Sequence, residues 1–185
     1  MKRFVAPAFA LLAVAGLAFA GEKSQVKSGL EVGESPEAFH VKDITGPSKG
    51  TTLCYRCQYG AKPVACVFTR EITPEVASLI AQLDETVGAN KDKKASGFVV
   101  LLTDDADAGA KQLAELAKEK GIKNVPLTVF DGTSGPESYK LSKDAGVTVL
   151  MWNKSRVAVN HAFAPGKMTK DDVKAVAADT SKIIK

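Results

Sequence analysis

The stretch VACVFTREITPEVASLIAQLDETV, residues 64–87, decides the fold. It opens with a continuous apolar run over residues 64–68, which is typical of a strand buried on both faces of a sheet. Thr73 can cap a helix, and Pro74 suits the first helical position. The apolar residues that follow recur at the spacing of one helix face: Val76, Leu79, Ile80, Leu83 and Val87. The stretch therefore predicts a buried strand followed directly by an amphipathic helix.

The same alternation of strand and helix continues toward the C-terminus. Residues 98–102 predict a second buried strand, and residues 127–130 predict a third. The helix between them is predicted to end at Gly121. It is predicted to begin after an acidic run, Asp104, Asp105 and Asp107. Strands that alternate with helices predict a mainly parallel sheet covered by helices.

Further elements are predicted at both ends of this core. Residues 147–152 and 156–163 predict a hairpin, and a last helix is predicted to start at Thr169. Before the core, the alternation around Phe39 predicts a short strand. Residues 48–63 are expected to form an irregular loop or a frayed second hairpin strand, because they contain turn-forming residues.

The beginning of the chain is typical of an export signal. Lys2 and Arg3 precede an apolar run over residues 4–19, and Ala20 offers a small residue for cleavage. The run is shorter than the roughly 20 apolar residues that cross a bilayer. We therefore expect a signal peptide over residues 1–20, a flexible polar arm over residues 21–35 and one domain over residues 36–185.

Composition restricts the class of partner. The chain has 185 residues, of which 45% are hydrophobic, so it can fill one core. The formal charge of +4 falls to +2 without Lys2 and Arg3, which leaves 23 basic against 21 acidic residues. This near-balance does not indicate a nucleic-acid partner.

We expect a mature protein outside the cytoplasm, periplasmic or extracellular, without a membrane-spanning segment after the signal.

The element order is hairpin, strand, helix, strand, helix, strand, hairpin and helix, and it resembles the thioredoxin-like superfamily. The stretch LEVGESPEAFHVKD, residues 30–43, is similar to the opening of the peroxiredoxin and exported thiol-disulfide oxidoreductase branch. The resemblance covers residues 30–184 and implies an α/β fold. That fold has a central mixed, mainly parallel sheet flanked by helices, with an N-terminal hairpin.

Two departures from this family bear on function. The family's reactive cysteine follows the first core strand, and here residues 69–74 contain no cysteine. The family also places a cis-proline before the late strand, where this chain has Val147. The usual redox centre is therefore missing on both sides.

The chain instead carries a C-x-x-C motif, Cys54 and Cys57, ahead of the first core strand. In an exported protein this pair is expected to form a disulfide. An extended chain would separate the two Cα atoms by roughly 10 Å, beyond the limit of about 7 Å for a bridge. Tyr55 and Arg56 must therefore form a turn. The cation of Arg56, beside both sulfurs, would favour the thiolate form.

The remaining candidate residues have structural interpretations. Cys66 lies in the apolar strand, where core packing is expected and a role as resolving thiol is a minor alternative. His40 and His161 could join the cysteines in a zinc or copper site, but their spacing does not support one. We therefore expect no metal and no cofactor. Asn153 begins a formal glycosylation sequon.

Two functions remain open. In the first, Cys54 and Cys57 cycle between dithiol and disulfide, with a redox partner protein. In the second, the chain is a non-catalytic binding or scaffold module, and the pair is a structural disulfide. A peroxidase role is disfavoured, because the family's peroxide-reducing cysteine would fall within residues 69–73.

Overall fold

The computed structural model describes residues 26–185, so the predicted signal peptide over residues 1–20 lies outside the described residues. The strands are β1 (Val41–Asp43), β2 (Thr52–Leu53), β3 (Val64–Thr69), β4 (Ser96–Thr103), β5 (Leu127–Asp131), β6 (Val147–Asn153) and β7 (Arg156–Phe163). The helices are α1 (Tyr55–Tyr59), α2 (Pro74–Ala89), α3 (Ala106–Lys120) and α4 (Lys170–Ala178). Short 3-10 turns occupy Glu137–Tyr139 and Asp179–Lys182.

The seven strands form one sheet in the order β2-β1-β5-β4-β3-β6-β7. Strand β4 is parallel to both β3 and β5, which confirms the parallel centre. The pairs β1–β2, β1–β5, β3–β6 and β6–β7 are antiparallel. Parallel pairing therefore holds only at the centre of this mixed sheet, because a hairpin adds antiparallel strands on each side.

The predicted core elements are confirmed. Thr73 caps α2 by accepting a hydrogen bond from the amide of Val76, and the predicted apolar stripe of α2 is buried. Gly121 ends α3 in the left-handed conformation, which glycine adopts at low cost. Thr169 caps α4 through a capping box with Asp172. Within residues 26–185, no helix has the length and apolar character needed to cross a bilayer.

The two faces of the sheet are covered differently. Helices α2, α3 and α4 pack on one face, over residues such as Val67, Leu101 and Val149. The chain moves from β3 to β4 to β5 in one direction across the sheet, so right-handed crossovers place α2 and α3 on the same side. The opposite face carries an aromatic layer, made of Phe39, Tyr55, Phe68, Phe98, Tyr139 and Trp152 with their aliphatic neighbours. Helix α1 therefore belongs to the face that lacks the long helices.

Residues 26–35 pack on the domain, which corrects the predicted boundary at residue 36. Ser28 and Leu30 are buried. The amide of Val26 donates to the carbonyl of Ala162 over 3.0 Å. Polar composition predicted a free arm, but the side chain of Asn160 donates to the carbonyls of Ser28 and Leu30 and satisfies this irregular backbone.

Candidate functional site

The cysteine pair lies where β2 passes into α1. Cys54 is the N-cap of α1, in an extended conformation, and the amides of Cys57 and Gln58 donate to its carbonyl. This first helical turn brings the Cα atoms of Cys54 and Cys57 to 5.2 Å, and a disulfide joins the two side chains. The turn required at Tyr55 and Arg56 is therefore supplied by a helix that the sequence analysis did not predict.

The two sulfurs are in different environments. Cys54 is only 7% exposed, whereas Cys57 is exposed to solvent. The amide of Cys57 also donates to Sγ of Cys54 over 3.0 Å. A hydrogen bond to a sulfur that acquires negative charge stabilises its thiolate. Cys57 is therefore the more accessible residue of the pair, and the Cys57 amide is placed to stabilise negative charge on the sulfur of Cys54.

Tyr55 anchors α1 to the aromatic layer. Its ring lies 5.5 Å from that of Phe98 in a stacked arrangement, and its hydroxyl donates to Asp43 over 2.7 Å. The buried carboxylate of Asp43 also accepts from the amides of Gly46 and Ser48. Burial, followed by the hydrogen bond to Asp43, raises the pKa of Tyr55 well above its ordinary value, so the phenol stays protonated. The β1–β2 turn, α1 and the disulfide are thus held as one unit.

Arg56 is engaged with the backbone near the start of β1. Its Nε donates to the carbonyl of Pro36 over 2.9 Å, whereas the hydrogen bond to the sulfur of Cys54 comes from the Cys57 amide. Arg56 therefore fixes the segment before β1. The stabilisation of a cysteine thiolate by Arg56 stays a prediction.

Cys66 lies in β3 and is fully buried within the aromatic layer. Burial raises the pKa of the Cys66 thiol well above its ordinary value. A buried neutral thiol is a poor nucleophile, because the thiolate is the reacting form. The geometry therefore favours a packing role for Cys66.

The position after β3, where the family carries its reactive cysteine, is occupied by Arg70. Its Nε donates to the carbonyl of Thr133 over 2.8 Å. Its Nη1 donates to the carbonyls of Ser142 and Ala145. Burial lowers the pKa of this guanidinium. Arg70 thus ties the loop between β5 and β6 to the end of β3, a role that the sequence analysis missed.

The backbone of Gly146, opposite Arg70, also forms hydrogen bonds within the domain. The amide of Gly146 donates to the carbonyl of Phe163 over 2.8 Å. The carbonyl of Gly146 accepts from the Arg70 amide over 3.0 Å and from the Thr69 hydroxyl. Val147, which stands in place of the family's proline, is the first residue of β6. Neither side of the usual redox position therefore presents a reactive group.

The histidines stand apart from the cysteines. His40 is exposed next to β1, and His161 contacts Asp179 with 2.9 Å between Nε2 and Oδ2. Among residues 26–185, no three side chains of histidine, cysteine, aspartate or glutamate are grouped so that they could hold a metal ion.

Two other polar motifs have structural roles. Asp105 caps α3 by accepting from the amide of Ala108 over 2.9 Å, which agrees with an acidic helix start. The side-chain amide of Asn153 donates to the carbonyl of Ile183 over 2.8 Å. Asn153 thus ties the end of β6 to the C-terminal segment.

Solved structures share this architecture. Peroxidoxin BcpB from Mycobacterium tuberculosis superposes with a TM-score of 0.62 and 16% identity, covering 84% of this chain and 99% of that chain. The thioredoxin domain of a thiol-disulfide oxidoreductase from Bacteroides vulgatus gives a TM-score of 0.62 and 15% identity, with the same coverage. No protein-family model matches the sequence, and no curated protein matches it significantly. The chain therefore has a thioredoxin-like fold, and the predicted fold class is confirmed.

Proposed function

We propose that this chain is a thiol-disulfide exchange protein that works through Cys54 and Cys57, at a position different from the usual redox site of its fold. One observation carries the proposal. Cys57 is exposed, while Cys54 is buried and its sulfur accepts a hydrogen bond from a backbone amide. A disulfide is broken by attack on one sulfur and departure of the other, so this asymmetry assigns a role to each.

The exchange takes place in two steps. A thiolate of a partner protein attacks Sγ of Cys57, the bond between Cys54 and Cys57 breaks, and Cys54 leaves as a thiolate. A second thiolate of the partner then attacks the partner sulfur of the mixed disulfide and releases Cys57. The partner dithiol loses two electrons and becomes a disulfide. Cys54 and Cys57 gain these electrons, and each ends as a thiol after protonation.

Export is part of the same proposal. The leader-like residues 1–20 support a periplasmic or extracellular location. An oxidising compartment would keep the pair as a disulfide that can accept electrons from a reduced partner. The bond would then be functional in its oxidised form.

A second candidate function is the non-catalytic binding or scaffold module. The position of Arg70 favours it, because a guanidinium bonded to three carbonyls occupies the place of the family's reactive cysteine. In that case the disulfide only fixes α1 to β2. Thiol exchange at Cys57 distinguishes the two functions.

Two matched variants test the proposal. Cys54→Ser leaves the exposed sulfur of Cys57, and Cys57→Ser leaves the buried sulfur of Cys54. With oxidised glutathione as the probe, we expect the Cys54→Ser protein to form a mixed disulfide at least tenfold faster, as measured by mass spectrometry of quenched samples. Equal rates, or a faster reaction of the Cys57→Ser protein, would contradict the assigned roles. A wild-type disulfide that resists mild dithiols in the folded protein would favour the scaffold module.

A further inference from the structure

The sheet has two edges, and only one of them is open among the described residues. The edge at β7 is covered by the segment before β1. The amide of Gly33 donates to the carbonyl of Val157, and the amide of Val157 donates to the carbonyl of Glu34. The other edge is β2, which pairs only with β1. Strand β2 ends at Leu53, next to the disulfide.

The register of β2 shows which of its backbone groups point outward. The amide of Asp43 donates to the carbonyl of Thr51, and the pairs Lys42 with Thr52 and Val41 with Leu53 follow. Hydrogen-bonded and non-hydrogen-bonded pairs alternate in an antiparallel ladder. The N–H and C=O of Thr52 therefore point away from β1, and this residue is exposed. One donor and one acceptor are thus presented beside the reactive pair.

The surface around this edge carries charges of both signs. Within residues 36–62, the exposed charged side chains are one acidic residue, Glu37, and three lysines, Lys42, Lys49 and Lys62. The half-buried Arg56 adds a fourth positive charge, and Asp43 is buried among its hydrogen-bond donors. The exposed Asp131 lies beside Thr52 and Lys42 and offsets part of this positive charge. Charge therefore does not select the partner, and the open backbone groups of Thr52 carry the recognition.

We propose that the outer edge of β2 docks an extended, cysteine-bearing segment of a partner protein. The segment adds as a strand on the backbone of Thr52 and presents its thiolate to the sulfur of Cys57. This proposal rests on the exchange function proposed above and names the kind of partner that it serves. Backbone pairing gives affinity without a fixed partner sequence, which is the recognition mode of exposed sheet edges.

The test uses wild-type protein and two synthetic peptides. One peptide has a central cysteine flanked by alternating threonine and glutamate, and the other is identical but N-methylated at every residue except the cysteine. Each rate of mixed-disulfide formation is divided by the rate of the same peptide with oxidised glutathione, which removes differences in thiol reactivity. We expect the unmethylated peptide to react about fivefold faster or more, the effect of one or two backbone hydrogen bonds.

Two variants test whether the reaction of the peptide depends on the backbone of Thr52. Thr52→Pro removes the outward N–H at an edge position where proline is tolerated, and Thr52→Val keeps it. We expect Thr52→Pro to lower the normalised rate of the unmethylated peptide, because a peptide carbonyl loses the Thr52 N–H, and Thr52→Val to preserve that rate.

The outcomes separate this proposal from the function on which it rests. Equal normalised rates of the two peptides with wild-type protein, while reduced glutathione still exchanges at Cys57, would overturn the docking proposal alone. A protein that exchanges with neither the peptides nor glutathione would overturn the exchange function, and the docking proposal with it.

Discussion

Replacing both cysteines of the pair should destabilise the protein only modestly. The disulfide joins residues three positions apart, so it closes a loop of four residues. In the chain-entropy model, a loop of this length contributes about 2 kcal/mol to the free energy of unfolding. We therefore expect the double variant Cys54→Ser with Cys57→Ser to lose about 2 kcal/mol and to remain folded.

Serine is chosen because it can preserve the cap of α1. In the wild-type protein the sulfur of Cys54 accepts from the Cys57 amide, and a serine oxygen at position 54 can accept the same hydrogen bond. The double variant Cys54→Ala with Cys57→Ser lacks this acceptor. It should lose about 1 kcal/mol more, which is the typical cost of removing a cap.

Urea unfolding followed by circular dichroism measures these losses. The slope of free energy against urea should stay that of the oxidised wild-type protein, because the same surface becomes exposed. A loss above about 4 kcal/mol, or loss of cooperative unfolding, would contradict the chain-entropy reasoning. Such a result would make the bond a structural requirement and favour the scaffold module.

Three further predictions concern the framework of the site. Leu79→Ala should cost about 2 to 5 kcal/mol in urea unfolding, because Leu79 is fully buried on α2. Tyr55→Phe should cost about 1.5 to 3 kcal/mol in the same assay, because the buried carboxylate of Asp43 loses a donor. The pKa of the Asp179 carboxyl is lowered: burial acts to raise it, but hydrogen bonding, including that from Lys182, outweighs burial. Asp179→Asn removes this ionisable carboxyl. A lowered folded-state pKa stabilises the protein above the ordinary aspartate value of about 3.9. The variant should therefore be less stable than wild type at pH 7, and thermal unfolding should show this difference shrinking as the pH falls below that value.

The core of the fold could be predicted because its signals are local. The apolar run of β3, the cap at Thr73 and the stripe of α2 lie within two dozen residues and agree with one another. The caps of α3 and α4 follow the same logic. Such agreement between propensity, pattern and capping specifies an element without knowledge of its neighbours.

Other features depended on contacts between distant residues. Residues 26–35 have no apolar periodicity, and they are held by Asn160 and Ala162, more than a hundred positions away. Helix α1 has five residues, which is too short for a periodic pattern. The cysteines were found as candidate site residues by their spacing. Their unequal exposure was not predictable, because it depends on how Tyr55 packs on Phe98 and bonds Asp43.

The location of the cysteine pair affects how the fold responds to its reduction. A cysteine at the end of β3 would be attached directly to the buried core strand. A change in its disulfide bonding would then disturb the core residues packed beneath α2. Cys54 and Cys57 instead sit in a short helix, which Tyr55 attaches to the aromatic layer independently of the disulfide. The N-cap hydrogen bond to Cys54 also needs no disulfide, because the sulfur of a thiolate can accept it. Reduction can therefore change the chemistry of Cys57 while the anchored side chain of Tyr55 keeps α1 in place. A folded dithiol and a folded disulfide are the two states that a protein exchanging electrons through this pair must have.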